Sequence, residues 1–562
     1  MKALFAFISL ITLSLSGMGQ EYFRLNERLN DEKISPEIKV IGEENNQIVA
    51  IRGIQEKEGK DATFYIDYFD NFMQRSKRVK LQEEYEKARI YPINGFILEG
   101  RVYLLVFFKD KDSKKYEFYV WEVDKTTGEY VPSRRKLASI EADDDLILGT
   151  FLPLGKQNDK VGNAKITLSE DRSYFLVSLW FETNKYVYMG LYDNKAELLK
   201  SKRERRAEIG NAAFELESIL VTNAGNFYIS KPSKPRNRRG VEGIAVTNAI
   251  VGYTNFGNEK LEMDIMPVVK TDVKFTPLHI TQDEKGHLHV YSFYLNQATY
   301  AIEGVFNAEL NPLTLAMENE NYIPIKTTDF VSGNEAEWLQ QLIRGRNEKM
   351  SYHHSFINIR QIDFTPDGQA QIFAEIVFDA ESVTGEEMNS MKSKKGDEEE
   401  DGKKKKDEWE MPKDYSYTVS DKIIVRIDPK NELKWVRRLP YWYEVETGAR
   451  SRTHAVYFFD GKESEVFFTG DLEMFKSRRT EFKVKDLKQA VMLRAVIGED
   501  GRWKMNYYTF NRMAPAEVIY SGEILPNISL ESDGGYALPV YNQSKGGTMM
   551  IQVPKKMPGF VF

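Results

Sequence analysis

The chain has 562 residues, 41% of them hydrophobic and 12% aromatic, with a formal charge of −7 and no cysteine. The lack of thiols excludes disulfide staples, thiolate metal centres, a cysteine nucleophile and the acylated cysteine of a lipoprotein, so burial must supply the stability. The acidic balance argues against a nucleic-acid partner, for which a basic face is expected.

Residues 1–20 read as a signal peptide: the cation Lys2, an apolar run over 3–15, then Ser16, Gly17, Met18, Gly19 and Gln20. Gly17 and Gly19 stand where cleavage requires small side chains, so the mature chain is expected to start near Gln20 or Glu21. No later stretch approaches the roughly eighteen consecutive apolar residues of a membrane helix. The expectation is an exported protein, periplasmic or outer-membrane associated, with no transmembrane span.

Beyond the leader one pattern recurs: an apolar strand runs into Asp, Asn or Gly, a few polar residues follow, and a second strand leaves. It ends on Asp70, Asp124, Asp193, Asn255, Asn307, Asp428 and Gly498. β-Branched and aromatic residues suit a pleated surface, while Asp, Asn and Gly tolerate the left-handed turn of a hairpin. A second hairpin precedes each of these, with turns at Asn46, Gly100, Asp171, Gly225, Asp283 to Gly286, Asp367 to Gly368, Asp460 to Gly461 and Asp533 to Gly534. Two hairpins make a four-stranded unit. The intervals from Asp70 to Asn307 are 54, 69, 62 and 52 residues, and the next, to Asp428, is 121 and must hold an insertion or a further unit.

The units fall near 36–81, 92–137, 163–203, 214–264, 275–325, 357–439, 453–509 and 517–555. The last lacks a fourth strand, which Tyr22, Phe23, Arg24 and Leu25 could supply in a closed ring. Such units resemble the blades of a degenerate β-propeller. The WD dipeptide and the kelch glycine pair are missing, and the sialidase Asp-box is only faintly echoed from Ser169 to Asp171, so no named propeller family is assigned. The expected fold is all-β: a single β-propeller of seven or eight four-stranded blades over residues 21–562, although the strand spacing also suits a pair of β-sandwiches. The leader ending in Gly-Gln, with no lipid-anchor cysteine, resembles those of proteins exported by Bacteroidota-type bacteria.

Two stretches interrupt the repeat. Residues 334–348 carry Trp338, Leu339, Leu342 and Ile343 at helical spacing and predict one short amphipathic helix between blades. Residues 392–410 alternate blocks of Lys and Asp/Glu that bury too little apolar area to offset ordering, which predicts a disordered insertion over about 384–414 in the sixth unit.

Most catalytic signatures are absent: no Gly-x-Ser-x-Gly elbow of the peptidases that couple a propeller to an α/β-hydrolase domain, no phosphate-binding loop, no His-Glu-x-x-His and no calcium loop. The six histidines are His279, His287, His289, His353, His354 and His454. His287 and His289, two apart on a strand, face one side and could chelate an ion, but no third ligand is legible. His353 and His354 read as a loop pair. The Asp143, Asp144, Asp145 cluster reads as a solvated turn, and the basic stretch 231–239, with Lys234, Arg236, Arg238 and Arg239, as a solubilising loop.

No metal, cofactor or catalytic residue is therefore assigned, and the binding residues remain open. The expected function is a non-catalytic binding or scaffolding propeller of the cell envelope, presenting loops on a rigid disc to a protein or glycan partner. The alternative is a polysaccharide-acting enzyme with carboxylates at the central channel. Three or more carboxylates converging with aromatic platforms in one pocket would mark it.

Overall fold

The computed structural model describes residues 39–54, 62–70, 74–133, 135–141, 162–181, 186–205, 218–233, 247–265, 273–296, 301–335, 337–348, 355–379, 416–446, 454–471, 484, 490–509, 516–518, 529–530, 535–542 and 547–554. The leader, Tyr22 to Leu25, Asp143 to Asp145, Lys234 to Arg239, His353, His354 and the charged insertion lie outside these residues.

The architecture is an all-β propeller built from successive antiparallel sheets, here called blades 1 to 8. Blade 1 comprises Lys39–Glu44, Gln47–Ile54, Thr63–Phe69 and Arg75–Lys80. The others span 91–140, 162–205, 219–265, 273–324, 355–446, 456–509 and 516–554. Blades 1 to 7 are each four strands wide in simple meander order. In blades 2, 5 and 6 one position is shared by two segments, as where Val273–Phe275 and His279–Gln282 both pair with Leu288–Asn296. Among the described residues blade 8 is three strands wide: Ala516–Val518 and Ser529–Leu530 share one edge of Gly535–Asn542, and Gly547–Pro554 takes the other.

The first strands of neighbouring blades touch, with Lys39–Glu44 against Tyr91–Leu98, and Gly162–Leu168 against Ile219–Val221, which places them innermost. The inner strands of a blade are covered on both faces by its neighbours and so read as continuous apolar runs rather than alternating ones. Arg101–Lys109 buries seven consecutive residues, Val102 to Phe108. The outermost strand has one wet face, and Leu198–Arg205 accordingly alternates between covered and exposed residues.

The repeated turn residue has a definite job. In blade 6, Asp428 Oδ1 accepts the backbone N–H groups of Lys430 and Glu432 at 2.9 and 2.8 Å. Asp193 does the same for Lys195 and Glu197, and Asp124 for Thr126 and Thr127. These side-chain turns satisfy amides that the hairpin leaves unpaired. In blade 5 the position belongs to Asn311, which bonds Leu313 and Thr314. Asn307, read from sequence as the turn, lies inside Ile302–Leu310 opposite Tyr291. Its polar character comes from the site described below.

One α-helix occurs among the described residues, α1 at Glu337–Glu348, between blades 5 and 6. Leu339 and Ile343 pack into the core shared by those blades, with Phe330, Ile325 and Ile357, while Trp338 stays 39% exposed. No helix among the described residues is long and apolar enough to cross a membrane.

Candidate functional site

A polar cleft opens between blades 5 and 6. In blade 5 the strands Leu288–Asn296, Ile302–Leu310 and Met317–Pro324 place His289 opposite Glu309, and Tyr291 opposite Asn307, which in turn lies opposite Asn321. Because side chains alternate along a strand, this ladder presents a single polar face. Blade 6 supplies the other wall from its first hairpin turn, Phe364 to Gly368, and from the turn Asp428 to Asn431. The cleft they enclose measures about 470 Å³. Asn307 Nδ2 donates across it to Asn431 Oδ1 at 2.6 Å. Asn307 is only 5% exposed, and its Oδ1 has no hydrogen-bond partner among the described residues.

At one end of the cleft, Asp283 organises the turn that leads into His287 and His289. Its Oδ1 accepts the backbone N–H groups of Lys285 at 3.0 Å and His287 at 2.8 Å. Its Oδ2 lies 3.3 Å from both His287 Nδ1 and His289 Nε2. The three donor atoms are all within 4.8 Å of one another. The His289 ring sits 5.5 Å from the Phe364 ring and 6.4 Å from Tyr291, centroid to centroid, so packing fixes its plane. Burial pushes the Asp283 carboxyl up, but the His287 N–H and the two imidazoles outweigh it and hold the group below its ordinary range.

The sequence reading recognised the shared side of His287 and His289 and treated Asp283 only as a turn residue. The spacing Asp-x-x-x-His-x-His was the available signal. The blade 6 wall was not legible, because its residues come from a different blade and nothing local marks them as neighbours.

Carboxylates and rings do converge here: Asp283, Glu284, Glu309, Asp367 and Asp428 line the cleft with Tyr291 and Phe364. A glycosidase needs one of its carboxyls held protonated as the acid. The opposite holds for Asp367, which accepts from the Thr365 hydroxyl and from Gln369 Nε2 and is lowered, as Asp283 is. Asp363, pushed up to about 6 by burial, is not among the residues lining the cleft.

The other described histidines are structural. Burial lowers His279 to about 4, so it stays neutral. His454 Nδ1 lies 2.5 Å from Glu375 Oε2 in a buried network that also holds Lys422, whose Nζ is 2.7 Å from Glu375 Oε1. Nearby, Asp421 pairs with Arg346 and Arg438 and accepts the Tyr441 N–H at 2.7 Å.

No protein-family model matches this chain, and no curated protein does. Among solved structures it is similar to the β-propeller domain of the Trilobed protease from Pyrococcus furiosus, at 7% identity over 74% of this chain and 97% of that one, with a TM-score of 0.29. It is also similar to apo prolyl oligopeptidase B from Galerina marginata, at 9% identity and a TM-score of 0.30. That match covers 84% of this chain, which spans 48% of the oligopeptidase chain. An α-L-arabinofuranosidase from Lactobacillus brevis matches at 9% identity over 62% of this chain and 90% of that one, with a TM-score of 0.26. Likeness at this level carries no inference about activity.

Proposed function

We propose that the chain is an exported, non-catalytic binding propeller of the cell envelope that receives basic side chains of a partner protein in the cleft between blades 5 and 6. The observation that carries this reading is the charge of the lining. Five carboxylates face Lys285, the lone Lys or Arg among the described lining residues. A cleft lined by one sign of charge focuses its field on an oppositely charged ligand and fixes its orientation. Hairpin turns build both walls, so the cleft can vary without disturbing the apolar strands behind it.

The test is charge reversal at two lining positions, Glu284→Lys with Glu309→Lys, in the chain recovered from its native envelope. The melting temperature should stay near that of the parent, since both side chains reach solvent, while co-purification of the partner falls at least tenfold, about 1.4 kcal/mol. Undiminished recovery of the partner by the folded variant would remove the cleft from the interface.

A further inference from the structure

We infer that Asp283, His287 and His289 form a binding site for one divalent transition-metal ion, of the class of Zn²⁺, at the end of the cleft. His289 Nε2 and Asp283 Oδ2 are within hydrogen-bond reach, at a spacing that also suits two ligands of one ion. Both imidazole nitrogens stand 3.3 Å from Asp283 Oδ2. Ligand atoms bound at about 2.0–2.1 Å around a tetrahedral ion are separated by about 3.3–3.4 Å along each edge. Two edges of that tetrahedron are already set. The third, between the two nitrogens, lies within 4.8 Å. His287, 63% exposed, keeps the rotamer freedom to close it.

The donor set fits the ion. Two imidazoles and one carboxylate leave a fourth position open, as in zinc sites that hold water or a ligand. Support around the ligands is in place. The Asp283 carboxylate is oriented by two backbone N–H groups on its other oxygen, and the His289 ring is packed against Phe364. Such support is what holds first-coordination residues in position. A second, independent observation points into the same cleft: Asn307, 5% exposed, carries a carbonyl oxygen with no hydrogen-bond partner among the described residues. An acceptor left open in the cleft that the three metal donors line suits a water or a ligand group held there.

Metal uptake is read on the purified chain alone, so it stands or fails separately from the partner proposed above. Calorimetric titration with Zn²⁺ should give one saturable site per chain, and Co²⁺ should show the intense visible bands of a four-coordinate ion. His289→Ala should weaken Zn²⁺ binding by more than about 100-fold, beyond the 10- to 100-fold typical of losing a supporting residue. Asp283→Asn keeps an oxygen for the turn and removes the anionic donor. It should therefore melt like the parent and bind at least about tenfold more weakly. Absence of saturable uptake by the parent chain, or equal affinity in a folded Asp283→Asn or His287→Ala variant, would overturn the site.

Discussion

Lys422 and Glu375 are both fully buried and 2.7 Å apart, and the pair shows how this fold tolerates charge in its interior. Burial pushes the Glu375 carboxyl up, while Lys422, His454 and Arg360 together outweigh it and hold the group well below the ordinary carboxylate range. Lys422 Nζ also lies 4.3 Å from the centroid of the Tyr441 ring. Removing Lys422 takes one counter-charge from Glu375 and leaves His454, Arg360 and the Ala455 N–H to hold it. Lys422→Met should therefore cost about 1.5–3 kcal/mol in denaturant unfolding at pH 7, the range for losing one hydrogen bond to a charged group. The double variant with Glu375→Gln should cost clearly less than the sum of the singles, because both singles remove the same Lys422–Glu375 contact. The pH dependence follows from the lowered carboxyl: its contribution is complete above the unfolded value of about 4.3 and is lost as pH falls towards the folded one. The parent should thus lose stability below about pH 4, and the double variant should lose less there.

At the scale of the hairpin, a blade is set by where its turn places a left-handed residue. Gly128 has φ +77° and sits so close to blade 1 that a Cβ would lie 2.0 Å from the Lys80 carbonyl oxygen. Gln82 N–H donates to the Gly128 carbonyl at 2.9 Å, so this turn of blade 2 is docked on the exit from blade 1. Gly461, at φ +90°, has nothing within 4 Å of the same position. Gly461→Ala should therefore cost only the left-handed backbone penalty of about 1–2 kcal/mol. Gly128→Ala should cost at least about 2 kcal/mol more, since backbone must move to relieve the clash. Equal losses would mean that the blade junction is slack. These turns also explain how far the fold could be read beforehand. Where Asp or Gly holds its expected place, as at Asp124 to Gly128 and Asp428, the hairpin is legible. Elsewhere the left-handed position falls to a residue that carries no turn signal, as at Leu315, φ +59°. Leu315 is fully buried, so packing selects it against its backbone preference. That masking hid the true blade 5 turn and shifted the reading to Asn307. The site was less legible still, because the Asp283 side chain reaches the histidines only through the turn that it folds.

For the whole molecule, the question is how the ring of blades ends. Among the described residues blades 1 to 7 have four strand positions and blade 8 has three, with Gly547–Pro554 at one edge. Among the described residues no strand pairs with the outer side of that edge. An unpaired strand edge exposes a row of amides and carbonyls, which is both a stability loss and an invitation to aggregation. The segment from Tyr22 to Leu25 carries Phe23 and Leu25 on either side of Arg24, a spacing that suits an edge strand, and we expect it to complete blade 8 from the other end of the chain. Closure of this kind couples the first and last blades, so that neither can open alone. Deleting residues 20–30 should then lower the melting temperature and, in hydrogen exchange, strip protection selectively from Gly547–Pro554 while leaving blades 2 to 6 protected. A deletion that leaves both the melting curve and the exchange of Gly547–Pro554 unchanged would mean that the two ends of the chain do not share a blade. The fold would then be an open array, and its rigidity would have to come from the contacts between neighbouring blades alone.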